Sequence, residues 1–293
     1  MSKADDLTEC TECVPPADAF ALIADETRIA ILEALWKLET PARFSDTRAA
    51  VGMADSAQFN YHLGKLTDQF VRKTDSGYEL QTAGERIVQA ILAGSFTEHP
   101  TREIEIDDSC VVCGGSLCAQ YDDEMLQIEC RKCGHGHGQY SFPPGGLHGR
   151  TDTEVLDAFD QRVRHLHCLA KDGVCPECNG RMQTQLEEGA DCCLGASLRA
   201  NHVCQQCSYE LCSAVGLGLL DHSAVVSFYD DHGVQISETP YWQFRWCVDD
   251  HTVNADPEGP GSVSIEMPVE QELLQVIVDD ELSAIHTKRI TID

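Results

Sequence analysis

No apolar run in this sequence approaches the roughly 18–20 residues that a membrane-spanning helix needs. The first ten residues, MSKADDLTEC, lack the basic-then-apolar order of a secretory leader. These two absences point to a soluble cytoplasmic protein with no membrane partner. Positive charge is also short: 21 Lys and Arg, only seven of them Lys, face 49 Asp and Glu, for a formal net charge of -28. The signatures of common catalytic chemistries are missing too. The chain has no HExxH, no GxSxG, no phosphate-binding GxxxxGK, no GxGxxG after a strand, and no HxE joined to PCxxC. The expectation is a protein that is not an enzyme.

What is present begins with the acids, which run along the whole chain and are not gathered in a tail. A diffuse excess with scarce Lys reads as adaptation to solvent rather than as a docking surface for a basic partner. It resembles the proteins of salt-in halophilic archaea, where a Debye length of about 3 Å in molar salt screens self-repulsion. With 42% hydrophobic residues over 293 positions, the chain can build more than one core. Sixteen Cys is high, and in a cytosolic protein CxxC pairs more often hold metal than form disulfides.

Residues 1–15 read as a flexible polar tail containing an isolated CTEC. Over 16–96 the periodicity predicts helices. Phe20, Ile23, Ile31, Leu32, Leu35 and Leu38 form apolar repeats of two adjoining helices. A short helix ends near Gly52, and a longer one opens at Asp55 or Ser56. VRKTDSGYELQ has a hairpin signal around DSG, and a last helix opens at Thr82 and stops at Gly94. This order, four helices, a hairpin and a helix, describes a winged helix-turn-helix.

In the longer helix, SAQFNYHLGKL, the stripe Phe59, Leu63, Leu66 and Phe70 points inward. Ala57, Tyr61, Gly64 and Lys65 face the other way, flanked by Gln58 and Asn60. Gln and Asn suit adenine edges in a major groove, and Ser56, Tyr61 and Lys65 suit phosphates. An ordinary amphipathic surface helix has the same pattern, so the surroundings matter. Between Thr40 and Leu80, Arg43, Arg48, Lys65, Arg72 and Lys73 balance Asp46, Asp55, Asp68, Asp75 and Glu79. Residues 1–96 carry -6 of the charge and the remainder -22. The candidate DNA-reading residues are therefore Arg48, Ser56, Gln58, Asn60, Tyr61, Lys65, Arg72 and Lys73, the last two at the base of the wing.

ALIADETRIAILEAL resembles the opening helices of ArsR-type winged-helix regulators. SAQFNYHLGKLTDQFVRKTDSGYELQTAGERIV resembles their recognition helix, wing and final helix, and FNYHLGKL with GYELQTAGERIV is similar to haloarchaeal members. The resemblance covers about residues 16–95. It implies a homodimer through the first and last helices of the domain and recognition of a two-fold site in double-stranded DNA. The family's CxC metal-sensing motif is absent from RFSDTRAAV, and its paired Asp/His pattern is absent from the last helix.

Beyond residue 96 two cysteine modules repeat one pattern. Cys110, Cys113, Cys130 and Cys133 form CxxC pairs 16 residues apart, and Cys175, Cys178, Cys204 and Cys207 form pairs 25 residues apart. Two CxxC turns supply a tetrahedral metal set, and the strand-like LQIEC and NHVC before the second pairs suit zinc ribbons. Two structural Zn²⁺ per chain are expected, with redox disulfides or another metal as alternatives. Four thiolates leave no open coordination position, which argues against metal catalysis. Arg131, Lys132, His135 and His137 make the first module the better candidate for touching DNA or protein, beside a purely structural role. Cys118, Cys168, Cys212 and Cys247 read as small buried residues. Cys10 with Cys13 stay open between a zinc bridged across a dimer, a reversible disulfide and no role, and Cys192 with Cys193 between a redox role and none.

The predicted architecture is α+β and multidomain: the winged helix over 16–96, zinc ribbon 1 over 97–148, a connecting helix over 149–172, zinc ribbon 2 over 173–215 and a small α+β domain over 216–293. In the last, YWQFRWCVDD, GSVSIEMPVE and ELLQVIVDDE are strand candidates. The region from the ribbons onward also resembles the uncharacterised C-terminal part of such haloarchaeal regulators, through PPGGL, GVCPEC and PYWQF. The expected function is sequence-specific transcription regulation, with the transcription machinery as a further partner. The alternatives are a basal accessory factor resembling archaeal transcription factor E, a protein-interaction module, or a thiol redox sensor.

Overall fold

In the N-terminal part, side-chain caps fix where two of the helices start. Asp25 accepts the Arg28 N–H at 3.1 Å, and the Asp55 carboxylate accepts those of Ala57 and Gln58 at 2.8 and 3.1 Å. A computed structural model of the chain describes residues 14–189, 197–255 and 261–292, divided into two compact units, residues 1–97 and 98–293. The tail reading, Cys10, Cys13, Cys192 and Cys193 fall outside the described residues. Described residues contain seven α-helices and four small antiparallel sheets, an α+β architecture. Among the described residues no helix is long and apolar enough to cross a membrane.

The first unit runs α1 (Pro16–Ile23), α2 (Glu26–Lys37), α3 (Phe44–Val51), α4 (Ser56–Leu66), β1 (Val71–Lys73), β2 (Tyr78–Leu80) and α5 (Thr82–Leu92). Gly52, at φ +73°, ends α3 in the left-handed region that favours glycine. The core is Ile31, Leu32 and Leu35 of α2 against Phe59, Leu63 and Leu66 of α4, closed by Phe70, Val71 and Val88. Phe20 departs from the sequence reading: it is 66% exposed, because the short α1 packs through Ala19, Leu22 and Ile23 instead. At the hairpin, Ala42 exchanges two 2.8 Å backbone hydrogen bonds with Tyr78. A Cβ at Gly77 would sit 2.3 Å from the Ala42 carbonyl oxygen, so that position requires glycine.

The second unit opens with a four-stranded meander, β3 (Arg102–Ser109), β4 (Ser116–Asp122), β5 (Met125–Cys130) and β6 (Gly136–Ser141). Next comes α6 (Asp152–Lys171), opened by a capping box between Thr151 and Glu154. β7 (Met182–Glu188), β8 (Leu198–Cys204) and β9 (Glu210–Ser213) form a second sheet. After α7 (Ser223–Asp231), β10 (Val253–Ala255), β11 (Val263–Val269), β12 (Glu272–Val278) and β13 (Ala284–Thr291) form the last. One hydrophobic cluster joins residues from all these segments, and Val155, Phe159, Val163 and Leu166 bring α6 into it. The helix read as a connector is thus a core element.

YWQFRWCVDD is not a strand. It forms two 3₁₀ turns, Tyr241–Gln243 and Arg245–Cys247, with Phe244 N–H donating to the Tyr241 carbonyl and Cys247 N–H to that of Phe244. Tyr241, Trp242, Phe244, Trp246 and Cys247 are all buried. A strand would turn alternate residues away from the core, and these side chains need burial on more than one side.

Candidate metal centres

Among the described residues each of the four CxxC pairs sits on a tight turn, and the four turns share one backbone pattern. The residue after the second cysteine takes a left-handed conformation: Gly114 at φ +70°, Gly134 at +69°, Asn179 at +60° and Ser208 at +60°. Its N–H donates to the carbonyl of the first cysteine, from Gly114 to Cys110 at 2.8 Å and from Asn179 to Cys175 at 2.9 Å. The first cysteine's own N–H returns to the next carbonyl along, as from Cys130 to His135 at 3.0 Å and from Cys204 to Tyr209 at 2.9 Å. The next position has a different constraint. A Cβ at Gly115 would lie 2.6 Å from Lys132 Cβ and 3.0 Å from Cys130 Sγ; at Gly180 it would lie 2.6 Å from Gln206 Cβ and 3.1 Å from Cys178 Sγ. These two glycines let the facing turns close on each other.

The turns bring the sulfurs together in fours. Cys110, Cys113, Cys130 and Cys133 place all four Sγ atoms within 4.8 Å of one another, and Cys175, Cys178, Cys204 and Cys207 do the same. Across the facing turns the separations are 3.9 Å for Cys110–Cys133, 3.5 Å for Cys113–Cys130, 3.7 Å for Cys175–Cys207 and 3.5 Å for Cys178–Cys204. A disulfide needs about 2.05 Å. A tetrahedral ion with metal–sulfur bonds of about 2.3 Å spaces its ligands about 3.8 Å apart. Each group fits one metal ion, and the twelve described cysteines are all unbridged.

The electrostatics favour a cation. At Cys130 burial pushes the thiol up, but donation from the Cys133 and Lys132 N–H groups outweighs it and brings the pKa to about 7. At Cys204 the N–H of Cys207 acts first, against burial, and the value falls to about 6. Their neighbours move the other way. His135 N–H pulls Cys133 down, yet burial and the adjoining thiols raise it to about 12. Cys178, despite the Gly180 N–H, is likewise raised to about 12 by the sulfurs around it. Four thiols this close cannot all ionise without a positive charge among them, and a divalent ion supplies it.

His137, in the CGHGHGQY segment beside the first module, is a neighbour of the sulfur group. It is fully buried, with Nε2 3.4 Å from Cys110 Sγ, and burial lowers its pKa to about 4. The other groups read as a contact surface are engaged within their own unit. Arg131 pairs with Glu103 and reaches Cys118 Sγ, Lys132 donates to the Cys113 carbonyl, and His135 Nε2 lies 3.0 Å from the Val248 carbonyl. Cys118 and Cys247 are buried as expected, whereas Cys168 and Cys212 are half-buried.

In the first unit α4 turns Phe59, His62, Leu63 and Leu66 inward and leaves Ser56, Gln58, Asn60, Tyr61 and Lys65 exposed. His62 joins the buried stripe, with Nδ1 3.3 Å from Asp25 Oδ1. Lys65 lies over the Tyr61 ring at 5.7 Å. Arg72 and Lys73 are exposed on β1, with Arg72 paired to Glu79 across the hairpin at 3.3 Å, and Arg48 is half-buried on α3.

A family described as a domain of unknown function, DUF7351, matches residues 107–284, the stretch that contains both cysteine groups. A second domain of unknown function, DUF7347, matches residues 16–91. No curated protein and no solved structure matches the chain.

Proposed function

The chain belongs to the DUF7351 family, whose description assigns no function, and we propose that it is a sequence-specific DNA-binding transcription regulator stabilised by two structural zinc ions. The observation that carries this reading is α4: a capped helix with one wholly buried stripe and an opposite face of Ser56, Gln58, Asn60, Tyr61 and Lys65 in solvent. The hairpin after it offers Arg72 and Lys73. The order of helices and hairpin, with the ArsR-type wording of the sequence, supports reading this unit as a winged helix whose α4 would enter the major groove. Gln58 and Asn60 read base edges; Lys65, Arg72 and Lys73 hold phosphates, with Arg48, Ser56 and Tyr61 flanking them.

The apolar surface of the same unit supports a homodimer. No residue of α1 is buried, and Phe20, Leu92 and Phe96 are 66%, 51% and 73% exposed. Large apolar side chains left in solvent on the first helix and around the end of the last mark a surface for a second copy. The second unit supplies the zinc sites, each closed by four thiolates, so their work is folding rather than catalysis.

Footprinting in about 2 M KCl, where the Debye length is only a few Å, tests the DNA reading. The expected result is a discrete, two-fold symmetric footprint. Protection that appears only with RNA polymerase present overturns it in favour of an accessory factor. Elemental analysis of protein purified without added metal should find about two zinc ions per chain.

A further inference from the structure

α6 presents Gln161, Arg164, His165 and Cys168 on one face, at helical spacing, to a cavity of about 450 Å³. The 3₁₀ segment before α7, α7 itself and residues 234–237 form the other walls. The volume lies within the roughly 300–1,000 Å³ of small-molecule sites. Leu217, Leu220, Val226, Val234 and Ile236 make most of the lining apolar.

Besides His165, the charged residues of the lining are Arg164, Asp221 and Asp230. Arg164 is already committed: Nε donates to Asp160 at 2.7 Å and its guanidinium reaches the Thr239 carbonyl. Asp221 and Asp230 stand exposed on the lining, and among the described residues Asp230 has no side-chain partner. Cys168 Sγ donates to Asp221 at 2.9 Å; burial, and then that hydrogen bond, raise its pKa to about 11, so the thiol stays neutral. Two carboxylates therefore face an apolar hollow with no free Lys or Arg among its lining residues. The only His, Cys, Asp and Glu groups that converge as metal ligands among the described residues are the two cysteine sets, so a bare metal ion does not suit this place.

We infer that this cavity binds a small organic cation with an apolar body, an alkyl- or arylamine. Its carbon skeleton lies on Leu217, Leu220 and Ile236, and its ammonium faces the Asp221 and Asp230 carboxylates. A carboxylate-bearing ligand of the same shape is rejected by like charge at the same place. The inference does not depend on DNA binding by the N-terminal unit.

Calorimetric titration of the full chain at fixed salt with 4-phenylbutylamine, 4-phenylbutanol and 4-phenylbutyrate tests it, since the three share one body and differ in head-group charge. The amine should bind about tenfold more tightly than the alcohol, with no saturable binding of the butyrate. Asp230→Asn should remove most of the amine's advantage over the alcohol. Val226→Trp, at a position 40% exposed and so tolerant of substitution, should block amine and alcohol together. Equal affinity for amine and butyrate, no binding of any probe, or amine binding that survives Val226→Trp each overturns the inference.

Discussion

At the scale of single residues, the metal groups rest as much on the glycines of the CxxC turns as on the cysteines themselves. Gly180 is the sharper case, because a methyl group there meets Gln206 Cβ at 2.6 Å and the sulfurs of Cys178 and Cys204 at 3.1 and 3.2 Å. Gly180→Ala should lower metal affinity at the second site by roughly 10–100-fold, read by competition with a chelator. Unchanged affinity would mean that the turns can part without moving sulfur. On α4, Gln58→Ala and Asn60→Ala should each cost about 1–3 kcal/mol of DNA binding and relax sequence preference. A loss that is equal on all sequences would reassign them to phosphate contact. Arg72 already answers Glu79, so Arg72→Ala should weaken binding to all sequences alike.

At the scale of elements, the first unit depends on α4 packing onto α2. Phe59 is fully buried and meets Phe44 edge-on, ring centroids 4.9 Å apart. Phe59→Ala should destabilise this unit by about 3–5 kcal/mol, seen in thermal unfolding, while the metal content of the second unit stays the same. Loss of metal on this substitution would show that the two units do not fold independently. Element geometry also accounts for YWQFRWCVDD, which reads as a strand and is not one. Aromatics at alternate positions imitate a strand, but the i-to-i+3 hydrogen bonds of a 3₁₀ path bury successive side chains that a strand cannot.

At the scale of the whole molecule, the second unit has, besides His137 at the first sulfur group, a pair of uncharged histidines in its core. His167 and His202 are fully buried with ring centroids 5.9 Å apart. His202 Nδ1 meets Thr184 Oγ1 at 2.8 Å, while both nitrogens of His167 and Nε2 of His202 have no partner among the described residues. Burial lowers both pKa values, that of His202 to about 4, and at His167 proximity to His202 acts in the same direction. The unfolded chain, with ordinary values near 6.5, therefore binds more protons than the folded one below that pH. Their contribution to stability is complete above about pH 6.5 and is lost as the pH falls toward 4, at up to about 1.4 kcal/mol per pH unit for each proton. Denaturant unfolding at pH 7 and pH 5 should show this loss, and His167→Phe should reduce it, with metal content measured in parallel. An identical pH slope in the variant would place the acid sensitivity elsewhere.

The sequence by itself determined whatever depends on local spacing. Four CxxC turns, the small residue and glycine after the first pair of each module, a cap at Asp55 or Ser56, the helix start at Thr82 and the inward stripe of α4 are all set by neighbours within a few positions. Period and turn chemistry therefore reveal them directly. Only the tertiary structure decided which turns face each other at 3.5–3.9 Å, and that α6 is core rather than connector. It also decided that the YWQF segment is helical and that Phe20 stays in solvent. Pairing of His137 with Cys110, of His167 with His202, and the walls of the α6–α7 cavity join residues far apart in the chain. No local pattern records such contacts, because the cost of burying a polar group is decided by whatever the rest of the fold packs around it.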